Sequence, residues 1–330
     1  PVVGIPFCMS FYEWMPFWLR FFRELDIRVL LSEPTTNQIT NLAMESVVSE
    51  PCFPIQVAHG HVRALIDRGV DKLFVPNNIS TPGGDPMRPS FFCPWNQTLP
   101  YVVRSAPVIA DHADKFIMPT LWFSQGEEVV SQSLFESLRD GGLKRTKAAV
   151  RNAVLKAFEA QNGLTRSLYE AGARAMAVLG SHQEHGILLL GRPYNMYDKG
   201  VNLDIATKLR KLYGVNVIGL DFLNLDGVDI SDMHDNMFWG YGKKILTAAR
   251  TMSNKPKMHI IYITNFKCGP DSYVKHYVAE ASGRPYLTLQ FDGHNNDAGM
   301  LTRCEAYLDS KGVLRRWGTT EQEMAEAGNL

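Results

Sequence analysis

Hydrophobic positions along this chain fall into two alternating periods. Short apolar, β-rich runs punctuate longer stretches whose apolar residues recur three and four apart. That alternation predicts a mostly parallel sheet with helical crossovers. In the first half, strands are expected at Val2–Pro6, Arg28–Leu31, Lys72–Pro76, Val108–Ala110 and Phe116–Pro119. Helices are expected near 12–25, 54–68 and 94–104, the first with Phe17, Phe21, Phe22 and Leu25 as a core-facing stripe. A helical stretch follows from Arg145 to Leu179, interrupted near Gly163. The alternation then resumes, with strands at Gly186–Leu190, Asn216–Leu220, His259–Thr264 and Tyr286–Phe291 and helices near 201–213, 232–252, 270–282 and 297–309. The fold class is α/β: two doubly wound, flavodoxin- or Rossmann-like parallel-sheet domains joined by a helical connector. The boundaries are 1–140 for the N-terminal domain, 141–184 for the connector and 185–330 for the C-terminal domain.

Composition narrows the class. The 330 residues are 45% apolar, enough to build real cores. Thirty-four basic residues balance 34 acidic ones, so no global field points to nucleic acid or to an anionic membrane surface. Apolar runs such as Ile187-Leu188-Leu189-Leu190 are too short to span a bilayer, and no signal peptide opens the chain. A cytoplasmic location is expected. The chain starts at Pro1, directly in an apolar strand, which reads as a processed protein or a domain cut from something longer.

Five cysteines, at 8, 52, 93, 268 and 304, are too sparse and odd a set for a disulfide framework. Three share a local grammar: Cys52-Phe53-Pro54, Cys93-Pro94 and Cys268-Gly269-Pro270. Proline favours the first turn of a helix, so each of these cysteines should sit at a helix N-terminus. Backbone N–H groups and the helix dipole there favour negative charge, lowering a thiol's pKa and stabilising an anionic cluster. Cys268 also follows an apolar strand, at the carboxyl edge where open α/β sheets bind ligands. Three converging cysteines suit a cubane cluster with one iron left open. Their spacing matches neither a ferredoxin run nor a zinc ribbon, and three buried structural cysteines remain the alternative. Cys304 falls in a helix as a core residue, and Cys8 past the first strand is a candidate fourth ligand.

Several segments resemble a known family. They are Cys52-Phe53-Pro54 with His59-Gly60-His61, the turn Gly191-Arg192-Pro193-Tyr194-Asn195 after an apolar strand, and Asn265-Phe266-Lys267-Cys268-Gly269-Pro270-Asp271-Ser272. With Asp292-Gly293-His294, Asp297-Ala298-Gly299 and Thr302-Arg303-Cys304-Glu305-Ala306 they resemble the activase-related proteins of the 2-hydroxyacyl-CoA dehydratase and benzoyl-CoA reductase system. The likeness runs from about residue 4 to 310. More distantly, the chain resembles the cluster-bearing subunits of those enzymes and the double-cubane cluster proteins. The resemblance implies a [4Fe-4S] cluster on Cys52, Cys93 and Cys268. It also implies a partner ATPase of the sugar kinase/Hsp70/actin superfamily, a separate chain or fused upstream, that drives low-potential electrons into the cluster. Three such cysteines are too few for a double cubane within one subunit.

Other residues have functional and structural readings side by side. His59 and His61, two apart on one helix, face different sides, so at most one points toward a cluster. Arg192 could pair with an anionic ligand, or its turn be purely structural. Asp271 and Ser272 suit the first turn of the helix after Cys268 as caps. His294 and Asp297 follow the last strand, where His294 is the candidate proton donor near an open iron or an ordinary loop histidine. No P-loop motif and no Ser–His–Asp arrangement is present. The leading function is an iron–sulfur electron-transfer or reductase component fed by an ATP-dependent activator. One alternative is a dehydratase or reductase acting on an acyl-CoA or small molecule at the open iron. Another is a cluster-free scaffold or regulatory domain of an activator. No nucleic-acid or membrane partner is expected, and a homodimer is kept open.

Overall fold

The computed structural model describes residues 1–82, 90–293 and 296–314. In the first half the strands are β1 Val2–Ile5, β2 Arg28–Leu31, β3 Lys72–Phe74, β4 Asn77–Ser80, β5 Phe116–Ile117 and β6 Thr120–Trp122. In the second they are β7 Gly186–Leu190, β8 Asn216–Gly219, β9 Met258–Asn265 and β10 Leu287–Phe291. Among the described residues all pairs of these strands are parallel. The main sheets have orders β2-β1-β3-β5 and β10-β9-β7-β8, and β4 pairs with β6. Register in the second sheet sets Leu188 opposite both Ile218 and Ile260. The residues of β7 and β9 are buried throughout, as parallel strands covered on both faces require.

Both sheets repeat one topology. The chain leaves the first strand for a neighbour on one side, then crosses back to the other side. The switch points therefore lie between β1 and β3 and between β7 and β9, where open α/β sheets bind ligands outside the strands' carboxyl ends. Cys8 follows β1, while Arg192 follows β7 and Cys268 follows β9.

The helix Phe11–Glu24 buries Phe11, Trp14, Phe17, Trp18, Phe21 and Phe22, a helical stripe as expected. Trp14 stacks on Phe123 at 4.1 Å, and Phe17 meets Phe158 edge-on at 4.9 Å. Phe158 belongs to the helix Lys147–Ser181, whose N-terminal part buries Val150, Val154 and Ala157 in the first core. Its far end buries Leu179 in the second core. The expected break at Gly163 does not occur: one glycine costs a helix only about 1 kcal/mol, and packing along both ends outweighs it.

Other expectations also change. Val108–Ala110 is not a strand but part of a short helix, Pro107–Ala110, because Pro107 sets the first-turn φ and three apolar residues are too few to direct pairing. The stretch 201–213 splits into Lys199–Asn202 and Ile205–Tyr213, since Leu203 and Asp204 both take positive φ. The helix expected from 232 begins only at Gly240. No described helix is long and apolar enough to cross a membrane.

Candidate functional site

Three helices begin on the three cysteines. Cys52 is the N-cap of Phe53–Asp67, Cys93 of Pro94–Arg104 and Cys268 of Gly269–Ser282, each with extended φ/ψ and proline in the first turn. All five cysteines are free thiols. Cys52, Cys93 and Cys268 come together: Cys52 feels the charges of both others, and Cys268 feels that of Cys93. Cys52 and Cys93 are buried, while Cys268 is partly open.

At Cys52 and Cys268 the electrostatics depart from the expectation of a lowered thiol pKa. Burial pushes Cys52 up, and the neighbouring Cys268 and Cys93 push it further, while the Ile55 backbone N–H and Arg192 oppose. Burial likewise pushes Cys268 up to about 12 against the pull of Arg192. Helix N-termini act here as predicted, but losing water around a thiolate outweighs them.

Arg192 is the buried cation of the thiol site. It is 1% exposed, and its Nη1 donates to Cys268 Sγ at 3.1 Å and to Asp271 Oδ1 at 2.5 Å. Thr264 on β9 donates to the other oxygen of Asp271 at 2.5 Å. Burial alone would lower Arg192, but the Asp271 charge, the cysteines and Tyr194 hold it well above its usual value. Asp271 is thus a buried ion-pair partner and not a cap. Its neighbour Ser272 is exposed and donates to the Cys268 carbonyl. Arg192 reaches this position because Gly191 has φ +158° and a Cβ there would lie 2.7 Å from the Ile263 carbonyl oxygen. Tyr194, 5% exposed, feels all three cysteines. It lies within a motif picked out from the sequence, yet nothing in one sequence marked it as a neighbour of the thiols.

The remaining candidates fall elsewhere. His61 is completely buried, with Nδ1 2.8 Å from Ser32 Oγ and Nε2 3.0 Å from Thr35 Oγ1. Thr35 gives its only hydroxyl proton to Asp198 at 2.6 Å. It must therefore accept from Nε2–H, which leaves Nδ1 to accept from Ser32. This chain ties the first half to Asp198 of the second. His59 bonds the Ile55 carbonyl oxygen at 2.8 Å. Both histidines are structural. Cys8 is buried and feels Asp198, and burial raises it. Cys304 lies in the second core. Asp297 pairs with Lys208 at 2.5 Å, partly exposed. His294 lies outside the described residues. Among the described residues, no three His, Cys, Asp or Glu side chains are grouped as ligands of a single metal ion.

Fold and site together define an α/β protein with two four-stranded parallel sheets and three neighbouring thiols beside the second switch point. Residues 2–223 match the family described as CoA enzyme activase uncharacterised domain (DUF2229), and the chain belongs to that family. The matched span includes Cys52, Cys93 and the Gly191–Asn195 turn and ends before Cys268. No curated protein matches the chain. Among solved structures, it is similar at 13% identity to the C-terminal domain of glucosamine-fructose-6-phosphate aminotransferase from Francisella tularensis, covering 94% of this chain and 83% of that one with a TM-score of 0.26. It is similar at 8% identity to tagatose-6-phosphate ketose/aldose isomerase from Escherichia coli, covering 94% and 80% with a TM-score of 0.20. At such scores neither likeness bears on function.

Proposed function

We propose that Cys52, Cys93 and Cys268 hold a [4Fe-4S] cluster. On this reading the chain is the electron-transfer or reductase component fed by an ATP-dependent activator of the 2-hydroxyacyl-CoA dehydratase type. That activator is an ATPase of the sugar kinase/Hsp70/actin superfamily. The observation that carries the reading is the convergence of three free thiols, each capping a helix, beside one buried guanidinium. The donor set fits: three thiolates occupy three irons and leave the fourth open. When bound, such a cluster supplies low-potential electrons and an open coordination position.

The chain's own groups have definite tasks. Three helix N-termini direct N–H dipoles toward the anionic charge. Arg192 donates to Cys268 Sγ and, locked by Asp271 and Thr264, holds that sulfur in place. Tyr194 and the apolar residues around Cys52 keep water from one side. Family membership supports the activase connection.

The test is anaerobic reconstitution of the full chain with iron and sulfide. A brown protein is expected, with iron and sulfide in equal amounts, and Cys52→Ser, Cys93→Ser and Cys268→Ser should each lose most of both. A Cys268→Ser protein that keeps its full iron, or a wild type that takes up none, refutes the reading.

A further inference from the structure

Arg192 is placed at a cost that stability does not explain. Its side chain is 2% exposed, as is fitting for a core residue and not for a cation. Its Nε is buried with no partner. A buried pair such as Arg192–Asp271 can often be replaced by apolar side chains of similar volume without loss of stability, so the pair does not earn its place by holding the fold together. The backbone is also shaped for it. Gly191 takes φ +158°, and a Cβ there would lie 2.7 Å from the Ile263 carbonyl oxygen.

The guanidinium is aimed as well as buried. One nitrogen, Nη1, donates both to Asp271 Oδ1 and to Cys268 Sγ. Thr264 holds the other oxygen of that carboxylate, so the pair is fixed from behind as well as in front. An arginine keeps its charge in a protein, and this one therefore sets a permanent positive charge against sulfur. The contact is made at Cys268, the thiol of the three that solvent reaches. The influence of the charge extends further, because Arg192 also opposes the rise of the Cys52 pKa, while Asp271 works against Arg192 at Cys268. Hydrogen bonds to its sulfurs and the charge around it set the reduction potential of an iron–sulfur cluster. A positive charge favours the electron-rich state and a negative charge disfavours it.

We propose that Arg192 sets the reduction potential of the cluster on Cys52, Cys93 and Cys268, raising it through Cys268 Sγ, and that Asp271 limits the rise. The inference rests on the cluster assignment made above and goes beyond it. Arg192 acts through a ligand sulfur, so it is a positioning residue and not a catalytic one. Reduction moves one electron from a low-potential one-electron donor to the cluster, and no bond forms or breaks. The guanidinium makes that electron easier to deliver.

The test is a potentiometric titration of the full chain after anaerobic reconstitution with iron and sulfide, followed by electron paramagnetic resonance. Titanium(III) citrate is the donor, giving up one electron to become titanium(IV). Iron and sulfide are measured first in every variant. Arg192→Met should lower the midpoint and Asp271→Asn should raise it, each by about tenfold in the equilibrium constant, which is ~59 mV for one electron. Opposite signs are the signature, since a site that is merely loosened would shift both variants the same way. Each of these changes strands a buried charge and can cost the fold. Arg192→Lys keeps the buried pair but replaces the fork with a point charge, so it should fold and lower the midpoint by less than Arg192→Met. An Arg192→Lys protein with full iron and the wild-type midpoint overturns the inference and leaves the cluster standing. So do loaded Arg192→Met and Asp271→Asn proteins whose midpoints shift in the same direction. A wild type that takes up no iron overturns this inference and the cluster assignment together.

Discussion

The Arg192–Asp271 pair offers the sharpest test of how the thiol site is built. Arg192→Met removes the guanidinium and keeps much of the apolar stem. The pair is separated by 2.5 Å, with side chains 2% and 1% exposed. At an effective dielectric of about 20, that separation corresponds to ~7 kcal/mol of gross attraction, most of it offset by taking both ions out of water. The net worth of the pair is therefore small, but removing one member strands the other. Arg192→Met should lower the unfolding free energy of the metal-free chain by ~3–5 kcal/mol. Adding Asp271→Asn removes the stranded charge and should restore at least ~2 kcal/mol, although a second polar group has been altered. Urea unfolding followed by circular dichroism, in reductant at 25 °C, measures both. A second readout is specific to the site. Nη1 lies 3.1 Å from Cys268 Sγ and holds that thiol down, so losing it should slow alkylation of Cys268 at alkaline pH. An Arg192→Met protein that loses less than ~1 kcal/mol, or a double variant as unstable as the sum of both singles, refutes the reasoning.

Two further outcomes are expected. Burial holds His61 at about 3, against ~6.5 unfolded, so the unfolded chain binds the proton first. Its contribution is therefore complete above ~6.5 and falls on acidification, by about 2 kcal/mol at pH 5. Asp198, raised by burial, acts in the opposite sense. For that reason the measure is the difference in pH slope between wild type and His61→Asn, and equal slopes contradict the assignment. Gly172→Ala sets helix propensity, which favours alanine by ~1 kcal/mol, against a Cβ that would lie 1.9 Å from the Phe222 carbonyl oxygen. A net loss of ~1–3 kcal/mol is expected, and a higher thermal midpoint would contradict the close approach of that helix to residues 220–222.

Much of the fold was legible because it rests on short-range rules. Apolar runs such as Ile187–Leu190 mark buried parallel strands whatever their neighbours. A proline one or two residues after Cys52, Cys93 and Cys268 starts a helix by fixing φ locally. The helices Asn37–Ser46 and Glu127–Asp140 were missed although the sequence carried their signal, Ile39 with Ala43 and Val130 with Leu134 and Leu138 at helical spacing. Only tertiary structure decided the rest. Strand order is set by which crossover lands on which side, and that choice brings the ends of β7 and β9 side by side. Arg192 and Asp271 are 79 residues apart, and nothing local specifies their pairing. The same holds for Tyr241 and Glu13, which are 228 apart. The direction of the pKa shifts at Cys52 and Cys268 also reversed for this reason. Dipoles at a helix N-terminus follow from local sequence, but the loss of water around a thiol depends on everything packed against it, and here the second effect is larger.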